Sequence, residues 1–127
     1  KKGAVSKLSF GFKKDKTWLN EKLKLAQVYP EIIDEDKCTI DDLVSVIMAK
    51  DIDTFTGKIK LKCELTQFVY LMGKLSKYCC NPPARIIDKS GVFFSKYETV
   101  IKANSIYQAK RNSPAPKDYD RIDEIFQ

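Results

Sequence analysis

The sequence predicts an α+β domain that is mostly helical, with its helices packed on a small sheet in an outline a winged helix would also give. Three observations predict it. Apolar residues recur at helical spacing through most of the 127 residues. One stretch, Lys58 to Cys63, alternates strictly between lysine and apolar side chains, the period of a strand. Proline and glycine breaks divide the remainder into segments of helix length.

Leu8-Ser9-Phe10-Gly11-Phe12 has period two and reads as a short strand. Trp18, Leu19, Lys22, Leu23 and Ala26 share one face of a helix expected from about Thr17 to Val28, stopped by Pro30. Thr39-Ile40-Asp41-Asp42 resembles a capping box with Asp42 in place of the usual Glu. Leu43, Val44, Ile47 and Met48 continue that second helix to near Lys50. Thr56-Gly57 is a turn, and 58–63 is a strand with one lysine-coated face, as an exposed sheet edge would have.

The third helix runs from Glu64 to about Tyr78 on a stripe of Leu65, Phe68, Val69, Met72 and Leu75, and Pro82-Pro83 forbids its continuation. Ala84 to Asp88 has room for a turn of helix, and Val92 to Tyr97 is strand or helix entry. Val100, Ala103 and Tyr107 predict a helix from about Glu98 to Lys110. After the break at 112–116, Asp118 caps a last helix carrying Ile122, Ile125 and Phe126. The expected core is Trp18, Leu23, Leu43, Ile47, Phe68, Val69, Met72 and Leu75.

The length fits one domain over residues 1–127, able to bury about two-thirds of its unfolded surface. The start at Lys1-Lys2-Gly3 rather than Met suggests a domain taken from a longer protein. No apolar run approaches the roughly 18 residues of a membrane span, and no signal-peptide pattern is visible. Reduced thiols and a cytoplasmic location are therefore expected, with Cys38 and Cys63 as small buried side chains.

No metal, cofactor or catalytic site is expected. The chain has no histidine and no Cys-x2-Cys, so zinc ligation lacks its usual donors. The same absence removes the commonest general base and the Ser-His-Asp constellation. Phosphate-cradling glycine loops are missing. A calcium loop starting at Asp34 would need Gly at position 39 and Glu at 45, where Thr39 and Ser45 stand. The adjacent Cys79 and Cys80 fit packing better than a bridge, which would distort the backbone between them.

Charge is unevenly placed. Residues 1–29 hold eight basic and two acidic side chains, residues 30–57 two and eight, and residues 58–112 eleven and three. The last of these blocks therefore carries +8, and the whole chain +6. Within it, Arg85, Lys89, Lys96, Lys102, Lys110 and Arg111 are the candidate nucleic-acid contacts, interleaved with Phe93, Phe94, Tyr97 and Tyr107. Cations neutralise phosphates and aromatics stack on bases. The plainer reading is a soluble lysine-rich surface over an aromatic core. A further alternative has the acidic block pairing with the basic ones inside the protein or a dimer. A strict helix-turn-helix is absent, because the connection from the second helix to the third exceeds its turn of about 3–4 residues.

The stretch Phe12 to Asp51, with Trp18-Leu19…Leu23 and Thr39-Ile40-Asp41-Asp42-Leu43, resembles the C-terminal region of RteC-type regulators and related proteins of conjugative transposons. Leu65-Thr66-Gln67-Phe68-Val69-Tyr70-Leu71 resembles a second helix in those relatives. The resemblance covers about half the chain and implies a regulator associated with mobile DNA, without assigning a contact residue. The expected function is thus a non-enzymatic regulatory domain with double-stranded DNA as partner. The alternative is an assembly module with a protein partner or homodimer.

Overall fold

A computed structural model describes residues 7–127. Among the described residues, six α-helices accompany a two-stranded parallel sheet, so the domain is a mostly helical α+β fold. The helices are α1 (Lys16–Val28), α2 (Ile40–Met48), α3 (Leu65–Ser76), α4 (Pro83–Ser90), α5 (Ala103–Asn112) and α6 (Tyr119–Ile125). The strands are β1 (Ile59–Lys60) and β2 (Phe93–Phe94), with Ile59 opposite Phe93 and Lys60 opposite Phe94. They do not make a wing: they run parallel, with α3 and α4 between them in sequence.

The start of α1 is set by Asp15, whose carboxylate accepts from the Trp18 N–H at 2.8 Å, two residues before the expected start at Thr17. The capping box on α2 is formed as the sequence predicts. Thr39 Oγ1 accepts from the Asp42 N–H at 3.1 Å, and the Asp42 carboxylate accepts from the Thr39 N–H at 3.0 Å. That helix buries Ile40, Leu43, Val44, Val46 and Ile47 and stops at Met48.

The segment Leu8–Phe12 is not a strand. Gly11 takes φ 62°, which ends the extended run, and its neighbours bond elsewhere. The carbonyls of Phe10 and Gly11 accept from Asn81 and Cys80, and the Lys13 N–H reaches the Tyr78 carbonyl. A Cβ on Gly11 would lie 2.7 Å from that of Cys80, so this crossing admits only glycine without a shift. Phe10 is completely buried, packing edge-on to Phe93 at 6.2 Å, and Phe93 lies 5.8 Å from Phe68.

The alternation of 58–63 holds: Ile59, Leu61 and Cys63 are buried while the lysines point outward. The ladder, however, is only two residues long, and β1 is not a free edge. Leu61 bridges Ile33 on the side away from β2, and Lys60 and Lys62 pair with Asp34 and Glu31, both at 3.1 Å. The acidic block thus neutralises lysines within the chain. Lys60 holds the Asp34 carboxyl below its usual range, with help from the Asp36 N–H.

Helix α3 buries Phe68, Val69, Met72 and Leu75 of the predicted stripe, leaves Leu65 half-buried, and also buries Gln67 and Leu71. Pro82-Pro83 opens a new helix as well as closing the old one, because a proline at the first helical position loses no hydrogen bond. Gly91, at φ 64°, ends α4. The expected helix start at Glu98 is displaced to Ala103. Val100 bridges Phe94, and Ser95 and Thr99 close a turn in which Glu98 has φ 64°. Of the expected core only Trp18 is not fully buried; it packs with Phe12, Tyr78 and Phe126 in a half-exposed aromatic cluster.

Cys38 and Cys63 are buried as expected, Cys79 is half-buried and Cys80 exposed. Burial pushes the Cys63 thiol up to about 12 and the Cys79 thiol to about 11, and raises that of Cys38. A neutral alkylating reagent should therefore modify Cys80 first, leaving Cys63 intact until the chain unfolds. Peptide mapping of the alkylated protein checks this; Cys63 reacting as fast as Cys80 would contradict the packing.

Candidate nucleic-acid interface

Five of the six predicted basic residues sit on α4 and α5 or at their ends. The two helices are antiparallel neighbours. The end of α4 meets the start of α5, where Asp88 Oδ2 accepts from the Ala103 N–H at 2.8 Å. The other ends meet where Pro83 and Ala84 line one groove with Tyr107 and Lys110. Asp88 supplies the N-terminal cap that Lys102 cannot, and Lys102 Nζ lies 3.9 Å from the same carboxylate.

On α4, Arg85 and Lys89 are one turn apart and exposed, while Ile86 and Ile87 face the core. On α5, Lys110 and Arg111 are exposed in the last turn, where cations also suit the helix dipole. Arg85, Lys89, Lys110 and Arg111 enter no ion pair among the described residues. Across both helices the sequence carries a single carboxylate, that of Asp88.

Lys96 does not belong with these five. Its ammonium is paired with Glu64 at the start of α3, which raises its pKa and holds the turn after β2 in place. Five of the eleven cations in 58–112 are paired in this way: Lys60, Lys62, Lys74, Lys96 and Lys102. Sequence charge alone overstates the free positive surface, since a cation paired across the fold is distant from its partner along the chain.

The sequence reading missed what stands between the cations. Helix α5 buries Ile106 alone, and its opposite side presents Asn104, Gln108 and Arg111, all exposed. The spacing i, i+4, i+7 aligns them along one stripe. Asparagine, glutamine and arginine are the side chains that bond base edges in pairs. That signal was present in the sequence, but it needed the position of the buried face to be read.

A second cationic surface lies around the aromatic cluster. The Lys14 ammonium is 5.5 Å from the Trp18 ring centre and 5.2 Å from that of Tyr78. Lys22 and Lys77 cover the same two rings at 5.9 and 5.1 Å. These cations are held by ring faces rather than by carboxylates. Among the described residues no three His, Cys, Asp or Glu side chains gather as a metal site would need, and no helix is long and apolar enough to cross a membrane.

Fold and surface together define a small, mostly helical α+β domain with a basic, amide-bearing helix pair on its surface. The chain belongs to the family of unknown function DUF6617, which it matches over residues 1–127. No match to it is found among curated proteins or among solved structures.

Proposed function

We propose that this domain is a non-enzymatic nucleic-acid-binding module that sets α5 into the major groove of double-stranded DNA. The observation that carries the reading is the stripe of Asn104, Gln108 and Arg111, flanked by unpaired Arg85, Lys89 and Lys110. In this arrangement the cations of α4 and the last turn of α5 meet phosphates and fix the register, while the amides of α5 meet base edges. A ten-residue helix, about 15 Å long, is of a size the groove admits. Lys96 is withdrawn from the contact set because Glu64 holds it. The resemblance to RteC-type regulators supports placing this activity in the control of mobile DNA.

The two sets of side chains have separable effects. Selection from a randomised duplex pool should return a preferred sequence. Gln108→Ala and Asn104→Ala should each lower discrimination at one position by about 1–3 kcal/mol, leaving affinity for a scrambled duplex unchanged. Binding competition between selected and scrambled duplexes measures this. No preferred duplex, together with a concentration-dependent dimer by light scattering, would favour the assembly module instead.

A further inference from the structure

Helix α3 leaves an apolar groove where it meets α4 and α5. Phe68, Val69, Met72, Ala84, Ile106 and Tyr107 line its first hollow, of about 150 Å³. A second hollow of about 280 Å³ continues past Gly73 toward Ser113 and Pro114. Val69, Gly73 and Lys110 border both, so the two hollows adjoin as one shallow apolar trough along α3.

Gly73 makes the passage. It stands inside a helix, where glycine is less favourable than alanine, and a Cβ there would meet nothing within 4 Å. Neither backbone conformation nor packing requires glycine at this position, and a longer side chain would lie in the trough.

The rim has one sign of charge. Lys74 and Lys110 are the charged residues bordering the hollows, and among the described residues no carboxylate lines either. Asp123 holds Lys74 at 2.6 Å, which leaves Lys110 unpaired at the junction of the two hollows. An apolar trough with one unpaired ammonium at its lip is complementary to an apolar chain ending in an anion.

We infer that the α3–α5 trough binds a small anionic amphiphile, a carboxylate on an unbranched apolar chain, with the chain over Gly73 and the carboxylate on Lys110. The site shares Lys110 with the proposed phosphate contacts, but its test needs no nucleic acid and does not rest on that reading. The test is titration calorimetry with decanoate, and with decyltrimethylammonium as the cation of equal chain length. Saturable binding of one decanoate per chain is expected, with no saturable binding of the cation. Gly73→Met, which fills the passage, should weaken decanoate at least tenfold, and Lys110→Glu should weaken it several-fold. Gly73→Ala and circular dichroism of each variant control for folding. If Gly73→Met fails to fold, Lys110→Glu alone decides. No saturable decanoate uptake, equal uptake of the cation, or uptake unchanged in Lys110→Glu would overturn the assignment.

Discussion

Phe68→Ala is expected to lower the unfolding free energy by about 3–5 kcal/mol. The ring is 1 % exposed and lies 5.8 Å from that of Phe93, which in turn packs against Phe10. It therefore joins three parts of the core: helix α3, strand β2 and the segment before α1. Deleting it leaves a cavity whose walls are fixed by elements distant in sequence, so little collapse can compensate. Denaturant unfolding followed by circular dichroism measures the change. A loss under about 1 kcal/mol, the level of ordinary surface substitutions, would put this face of α3 on the wrong side.

Gln67→Ala should cost about 2–3 kcal/mol, more than its small loss of apolar area suggests, because several polar partners lose their bonds at once. Gln67 is 6 % exposed, and its side chain is fully used. The carbonyl accepts from the Glu64 N–H at 3.0 Å. The amide donates to the Lys117 carbonyl at 3.1 Å and to the Asp118 carboxylate at 3.2 Å. This residue ties the 113–118 connection, and with it α6, to the start of α3. Gln67→Glu is informative because it keeps the acceptor but sets a carboxylate against a carbonyl and a second carboxylate. It should be at least as destabilising as Gln67→Ala at neutral pH, and limited proteolysis should cut first between α5 and α6. Wild-type stability in both variants would mean that the connection is held by other contacts.

Those two residues show what the sequence made legible and what it did not. Phe68 lies on a stripe of period 3.6, a local pattern that needs no knowledge of neighbouring elements. The same holds for the Thr39–Asp42 box and for the inward set Ile59, Leu61 and Cys63. Gln67 sits beside that stripe and carries no local sign that it is buried, because both acceptors of its amide N–H groups are about fifty residues away. Asp118 was legible as a helix start, yet its carboxylate bonds Tyr29 and Gln67 instead of its own helix. Leu8–Phe12 alternates as a strand does, but its backbone partners are Ile52 and the turn after α3, and a period of two cannot say what a segment pairs with.

The same limit applies to the candidate interface. The block 58–112 was legible as basic, and five of its proposed contacts fall on one helix pair. Which cations remain unpaired was not legible, since Glu64, Asp34 and Glu31 reach theirs only through the fold. The amide stripe on α5 became visible only once Ile106 was known to face inward.

The salt dependence of duplex binding tests the central claim most directly. Each phosphate neutralised contributes a slope of about −0.9 to the logarithm of affinity against the logarithm of salt. Four contacts, from Arg85, Lys89, Lys110 and Arg111, should give the wild type a slope of about −3.6. Replacing Arg85, Lys89, Lys110 and Arg111 together by glutamine should bring that slope close to zero, while replacing Lys60, Lys62 and Lys96 should leave it nearly unchanged. An unaltered slope in the first variant, or a flattened one in the second, would contradict the placement of the interface on α4 and α5.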